Sequence, residues 1–341
     1  MSPQRQRGFS IVELLIAVAL GLILTVGLIS VFVSSKQGYR VQESRSRMQE
    51  NARFALDYLS RSVRLADFWG SVPPNRITIY GATPYVGNIA ASDCKDGWMI
   101  DPATGLRGYD GGASYPGDGL PASCFNDYVG NSDVIAIRYA EPDSVVATAD
   151  LGSAASLANG KYFLRVLAGK SAGLFNAAVT ANITSATTAI PDTVGSPGAV
   201  INYRMQSELY YLASPSGAVP SLYYTRNNID GTGATALVDG IEMMQLEYGL
   251  DTNADLAADR YLAASAVGAA NWAQVVSVRI SLIIRGDTLD NFADVDPADA
   301  AQGRPYLMAG GYTYRPATAV QRFQRFPVVK EVQIRNRVKV R

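Results

Sequence analysis

The chain has 341 residues, enough for a long helix plus one large or two small globular units. Its 30 basic and 30 acidic residues balance, so charge gives no overall pull toward nucleic acid. It contains no histidine, which removes the commonest general base and transition-metal ligand, and with them histidine triads and most zinc sites.

The first element is the run RQRGFSIVELLIAVALGLILTVGLISVFVSS. Phe9 to Val33 spans about 25 residues, about 37 Å of helix, against a hydrocarbon core of about 30 Å. Glu13 is the only charged residue in that span. A carboxylate costs roughly 2.5–3.5 kcal/mol at the bilayer centre and less near the interface, so Glu13 calls for a partner. A secretory signal peptide would have an apolar region of only about 7–15 residues and a small-residue cleavage site. The run is too long for that, and SSKQGYRVQ follows it without such a site. A plain signal anchor would leave Glu13 unexplained.

Helical spacing continues past the run. Met48, Ala52, Ala55, Leu59 and Val63 recur at intervals of three and four, with charged residues on the remaining faces. No proline falls between Pro3 and Pro73. The pattern predicts one helix from Phe9 to Leu65, roughly 85 Å long. Residues 9–33 form a membrane-spanning or filament-core half; 34–65 form an amphipathic half that packs on a globular domain. Gly21, Gly27 and Gly38 weaken this helix locally, by up to about 1 kcal/mol each.

Cys94 and Cys124 follow. In an exported domain an isolated pair reads as a disulfide, and a loop of about 30 residues closed this way is stabilised by roughly 3–4 kcal/mol. A two-cysteine metal site without histidine is the weaker alternative. The intervening segment, rich in Gly, Pro and Asp, includes GYDGGASYPGDG (108–119), which lacks the preceding strand and spacing of a phosphate loop and reads as a loop.

Beyond Gly70 the period changes to two. VIAIRY (134–139), KYFLRVL (161–167), SELYYLA (207–213) and SLYYTR (221–226) read as strands. QVVSVRISLIIR (274–285) puts Val276, Val278, Ile280, Leu282 and Ile284 on one face, with Ser277, Arg279, Ser281 and Arg285 on the other. FPVVKEVQIRNRV (326–338) likewise buries Val328, Val332, Ile334 and Val338. VDGIEMMQLEYGL (238–250) is ambiguous between a short helix or turn and a strand. Successive strands without intervening helices favour antiparallel sheet, hence α+β.

Two charged clusters stand out. Asp251, Asn253, Asp255 and Asp259 carry oxygen ligands that suit a hard cation such as Ca²⁺, although Leu256 and Leu262 stand where an EF-hand needs Gly and Glu. The alternative is a solvated acidic turn. Near the C-terminus, Arg322, Arg325, Lys330, Arg335, Arg337, Lys339 and Arg341 face only Glu331. They could contact DNA, but strand alternation reads them as the exposed face of a charge-protected edge.

Gly8-Phe9-Ser10-Ile11-Val12-Glu13, behind a basic leader and ahead of a long apolar run, resembles the cleavage and methylation motif of type IV prepilins and type II secretion pseudopilins. The resemblance implies removal of residues 1–8 by the prepilin peptidase, which cuts between Gly8 and Phe9 and then methylates the Phe9 amine. It also implies that Glu13 neutralises the N-terminus of a neighbouring subunit, an assembly contact. The stretch 238–261, Trp272 ahead of VVSVRISLIIR, and the ending VQIRNRV resemble the PilW group of type IV minor pilins.

That resemblance implies a pilin-like α+β fold: a long N-terminal helix packed on a C-terminal antiparallel sheet. Residues 66–341 then form an extracytoplasmic domain, with 70–200 as insertions. It implies a minor pilin that primes a type IV pilus and sits near its tip, serving adhesion and twitching motility. The implied partners are the peptidase, other minor pilins, the major pilin, the inner-membrane assembly platform and a tip adhesin. The implied location is the inner membrane, with the globular domain in the periplasm, and then an extracellular pilus. A J-type pseudopilin shares both the N-terminus and the layout. An anchored binding module or hydrolase is a third reading, although no G-x-S-x-G motif occurs. No cofactor is implied beyond the calcium candidate.

Overall fold

A computed structural model describes residues 10–81, 104–114, 127–158, 160–192, 199–226, 234–290 and 292–338, together with Pro102 and Phe125. The first element is the expected helix, α1 (Ile11–Leu65), unbroken through Gly21, Gly27 and Gly38. Its lower half is exposed on every side, as an apolar helix without its membrane or neighbours must be. Its upper half buries Met48, Ala52, Ala55, Leu59 and Val63, the stripe that the spacing predicts. The helix stops at Ala66, followed by left-handed backbone at Asp67, Gly70 and Ser71 and then by Pro73 and Pro74.

Fourteen strands follow among the described residues: β1 (Ile77–Tyr80), β2 (Leu106–Tyr109), β3 (Val134–Val146), β4 (Tyr162–Leu167), β5 (Ser171–Asn176), β6 (Val200–Ala213), β7 (Ser221–Arg226), β8 (Thr235–Asp239), β9 (Ile241–Leu250), β10 (Arg260–Leu262), β11 (Val275–Leu289), β12 (Tyr306–Leu307), β13 (Thr313–Tyr314) and β14 (Phe323–Gln333). The short helices α2 (Ala154–Leu157), α3 (Thr180–Ala189), α4 (Ala264–Val267) and α5 (Arg335–Val338) lie between or after them.

The strands form two main sheets. The larger runs β1-β5-β4-β6-β3-β2, and β7 also pairs with β6 and carries β8. Long β6 pairs with β4 through residues 200–204 and with β7 through residues 208–213, so the sheet forks along its length. The smaller sheet is β10-β9-β11-β14, all antiparallel. The pair β1–β5 is parallel, the exception to the antiparallel expectation. The ambiguous 238–250 stretch resolves as strand, with Gly240 (φ 81°) turning the chain from β8 into β9. Residues 70–200 are more than insertions: they supply β1 to β5, and β3 and β4 flank the central β6.

One core joins these parts. Val278, Ile280, Leu282 and Ile284 of β11 pack with Tyr210 and Leu212 of β6 and with the α1 stripe. The opposite face of β11 is covered as well, because Ile283 and Met243 are sealed by Met308 and the tyrosines at 306, 312 and 314. A strand that alternates apolar and polar residues is therefore buried on both faces. Ser277 and Ser281 fill the second face with small side chains, while Arg279 keeps its head at the edge against Glu247 (2.9 Å).

Two stitches fix one sheet against the other. Tyr248 of β9 crosses to β2, where Gly108 leaves it room: a Cβ there would lie 1.8 Å from the hydroxyl. Asp133, ahead of β3, accepts the N–H of Gly111 (2.9 Å) and of Leu246 in β9 (2.7 Å), and its own N–H donates to the Met244 carbonyl (2.9 Å).

The basic C-terminal stripe is not a continuous exposed face. The Arg325 side chain is fully buried and paired to Glu242 at 2.6 Å, because two arginines, Arg285 and Arg325, share that one buried carboxylate. β14 ends at Gln333, and α5 turns Arg337 under the domain. There it donates to Asp67, to the Trp272 carbonyl and to the Val275 carbonyl. Val332 and Ile334 are buried as expected and Val328 is half-buried, whereas Val338 belongs to α5 rather than to the strand. Lys339 and Arg341 lie outside the described residues.

Burial pushes the Asp133 carboxyl up to about 7, against the pull of its two N–H donors and with help from nearby Asp110. The folded value lies above the unfolded one, so this contribution to stability is complete below about pH 4 and is lost as pH rises through about 7. The expected outcome is a stability that falls from pH 5.5 toward 7, by up to about 1.4 kcal/mol per pH unit, and levels off above that, with the melting temperature following it. In Asp133→Asn this component of the profile should be flat, as thermal unfolding of the detergent-solubilised protein would read.

Candidate functional site

The chemistry-bearing feature of the N-terminus is Glu13, in the first turn of α1. Ser10 is the N-cap: its hydroxyl accepts the Val12 N–H at 3.3 Å, and the Glu13 carboxylate reaches back to the Ser10 N–H at 3.0 Å. This reciprocal pair is a capping box, which satisfies helix donors that have no partner inside the helix. Ser-x-x-Glu was readable in the sequence as a helix start; the resemblance to a processing motif directed attention to Glu13 alone. The carboxylate therefore has a local structural role as well as the intersubunit one that the motif implies. A carboxylate has acceptor sites to spare after one N–H, so the two roles are compatible.

Gly8 and Phe9, the residues at the implied cut, lie outside the described residues, as do Cys94 and Cys124. From Ile11 onward the helix presents Ile11, Val12, Leu15, Ile23, Leu24, Leu28 and Phe32 to its surroundings, each more than half exposed. Apolar surface of that extent on one helix marks a face that something else covers.

The acidic loop between β9 and β10 is held by its own hydrogen bonds. Asp251 accepts the N–H of Ala254 (2.6 Å) and Leu256 (3.0 Å). Asp259 accepts both the N–H and the hydroxyl of Thr252 at 2.6 Å, which holds its carboxyl below the usual range. The Asn253 amide donates to Asp255 and Asp259 at 3.1 Å. Ala254 and Leu256 both adopt left-handed backbone to allow these turns. Asp251 is buried while Asn253, Asp255 and Asp259 are exposed, and no three acidic side chains in the described residues converge on a metal-sized point.

The other polar cluster is buried between α1 and the fork in the larger sheet. Glu208 accepts from Ser62 (2.6 Å), Tyr210 (2.9 Å), Tyr139 (3.1 Å) and Arg226 (2.8 Å). Burial and the carboxylate push both tyrosine hydroxyls up, so they stay protonated and donate to Glu208. The arrangement secures β6 to α1 and β7, with each Glu208 oxygen already occupied.

Comparison with known proteins agrees with these features. Residues 3–29 match the prokaryotic N-terminal methylation motif. Residues 209–336 match the family model of Type IV Pilus-assembly protein W, a stretch from the second half of β6 to α5. Over those two stretches the chain is similar to type IV pilus-assembly proteins of the PilW family. No curated protein matches it. The solved type IV-like pilin TTHA1219 from Thermus thermophilus aligns with 85% of this chain and 98% of its own, at 8% identity and a TM-score of 0.33.

Because internal donors already fill the acidic loop, millimolar calcium is expected to leave the melting temperature of the detergent-solubilised protein unchanged. A rise in melting temperature that Asp255→Ala abolishes would show instead that an ion displaces those donors.

Proposed function

We propose that this chain is a minor pilin that primes assembly of a type IV pilus and stays near the filament tip, in support of adhesion and twitching motility. The observation that carries the reading is a carboxylate at the head of a long apolar helix with no side covered. After cleavage at Gly8, the mature chain would begin with a charged N-methylated amine on Phe9. In an apolar bundle of such helices, a buried amine and a buried carboxylate are each costly alone and pair favourably. Glu13 of one subunit would neutralise the amine of the next and set the axial register between them. The match to the PilW family over residues 209–336 favours a pilus over a type II secretion pseudopilus.

On this reading the partners are the prepilin peptidase, other minor pilins, the major pilin, the assembly platform and a tip adhesin. The apolar half of α1 anchors the chain in the inner membrane before assembly, with the globular domain in the periplasm. In that oxidising compartment Cys94 and Cys124 would be joined. The role is structural rather than enzymatic. The absence of histidine and the fully engaged Glu208 cluster both fit it.

Mass spectrometry of the mature protein should find N-methylated Phe9 as its first residue; an intact Met1 in assembled filaments would refute the processing step. Glu13→Ala and Glu13→Gln separate the two roles of the carboxylate. Glutamine keeps an oxygen for the Ser10 N–H and loses only the charge. Both variants should insert and be cleaved, and both should be depleted from sheared pili relative to the membrane fraction. Loss of one partner of a buried pair costs roughly 3–5 kcal/mol. Normal incorporation of Glu13→Gln with loss of Glu13→Ala would reduce Glu13 to a capping residue.

A further inference from the structure

Where α1 leaves its apolar run, the globular domain comes down beside it. Gly286 of β11 lies against Ser44 and Met48 of α1. Three residues further along the strand, at about 3.3 Å each, Leu289 is about 10 Å nearer the apolar half. Between them is a cleft of about 770 Å³ whose walls include Lys36, Arg40 and Ser44 of α1 and Asp287, Thr288 and Leu289 of β11.

Two observations at and beside this cleft point the same way. Leu289 is 63% exposed and Tyr39, on the adjoining turn, is 71% exposed, an aliphatic and an aromatic side chain at one level. Arg47 is engaged by Glu43 (2.6 Å) and Asp287 (2.7 Å), whereas Lys36 and Arg40 form no ion pair among the described residues.

Depth along α1 selects what these side chains meet. Lys36 lies about 4.5 Å beyond Val33 and Arg40 about 10 Å, with long side chains that can reach back. The headgroup layer is roughly 5–8 Å thick on each side of the hydrocarbon. Tyrosines collect in that layer, and cations beside it favour anionic lipid.

We propose that this end of the domain is a docking surface for the anionic phospholipid bilayer around α1. Lys36 and Arg40 bind lipid phosphates, and Leu289 and Tyr39 enter the interface. The proposal rests on the reading that the apolar half of α1 spans a bilayer. Its consequence is an oriented domain: before assembly β11 is held at a fixed height above the membrane, and that hold ends when the helix is drawn out.

The test uses the full-length chain in vesicles whose lipids carry bromine high on the acyl chain, a contact quencher of tryptophan. Leu289→Trp is compared with Ile23→Trp inside the span, with Tyr58→Trp far above it, and with the parent, whose native tryptophans set the baseline. All three replaced side chains are exposed, and an unchanged melting temperature checks the fold of each variant. In vesicles containing phosphatidylglycerol, Leu289→Trp should be quenched and Tyr58→Trp should not. The quenching should fall toward the parent level in pure phosphatidylcholine, and also when Lys36→Gln and Arg40→Gln are added, each cation being worth on the order of fivefold in docking. Quenching of Ile23→Trp without quenching of Leu289→Trp would overturn the docking and leave the span intact. An unquenched Ile23→Trp would overturn the span and the docking with it. Quenching indifferent to lipid charge, or cross-linking through Lys36 to a second copy in place of quenching, would also overturn the proposal.

Discussion

The last turn of α1 leaves carbonyls that no N–H within the helix can reach, and the chain answers them with its own far end. The Asn336 amide nitrogen lies 2.9 Å from the Ala66 carbonyl and 3.2 Å from those of Arg64 and Leu65. Its neighbour Arg337 holds Asp67 on one side and the carbonyls of Trp272 and Val275 on the other. Residues more than 260 apart in sequence thereby close one corner. The helix end, the start of β11 and the end of the described chain meet there, and the cationic side chain also suits the negative end of the helix dipole.

From that corner β11 runs back along the helix. Its start is tied to Asp67 through Arg337, and near its other end Asp287 meets Arg47 at 2.7 Å. The apolar face between those points is the shared core of both sheets. The larger sheet joins through Glu208, which draws Ser62 of α1 and Arg226 of β7 together at the fork in β6. The described parts of residues 70–200 thus belong to the body of the domain rather than decorating it.

The parts legible in the sequence were those with a period. The heptad-like spacing of Met48, Ala52, Ala55, Leu59 and Val63 predicts the buried stripe, and alternation predicts β3, β4, β6, β7, β11 and β14. Glu13 was legible because a charge in an apolar run is costly, and the motif around it gave the reason. What escaped has no period. The helix α3 is built largely of Thr, Ala, Ser and Asn, which favour no face. The fork in β6 is a matter of partner choice, which local pattern does not encode. Arg325 and Arg337 carry the same letter as the exposed arginines beside them, and only the position of Glu242 and Asp67 in space sets them apart. The ending VQIRNRV was recognisable by resemblance, but its task as a clamp was not, because the carbonyls that it serves lie at the opposite end of the chain.

The antiparallel course of β11 along α1 decides how the molecule bears a pull. Tension applied to the lower helix, with the domain held, acts parallel to the long contact between α1 and β11 rather than across it. The contacts along that face are then loaded together, in shear, and none can open ahead of the rest as it would in a zipper. The corner at Asn336 and Arg337 lies at the far end from the point of pull, so it is the last to feel a local loosening near Leu289. A domain arranged this way keeps its anchor point until the whole interface slides.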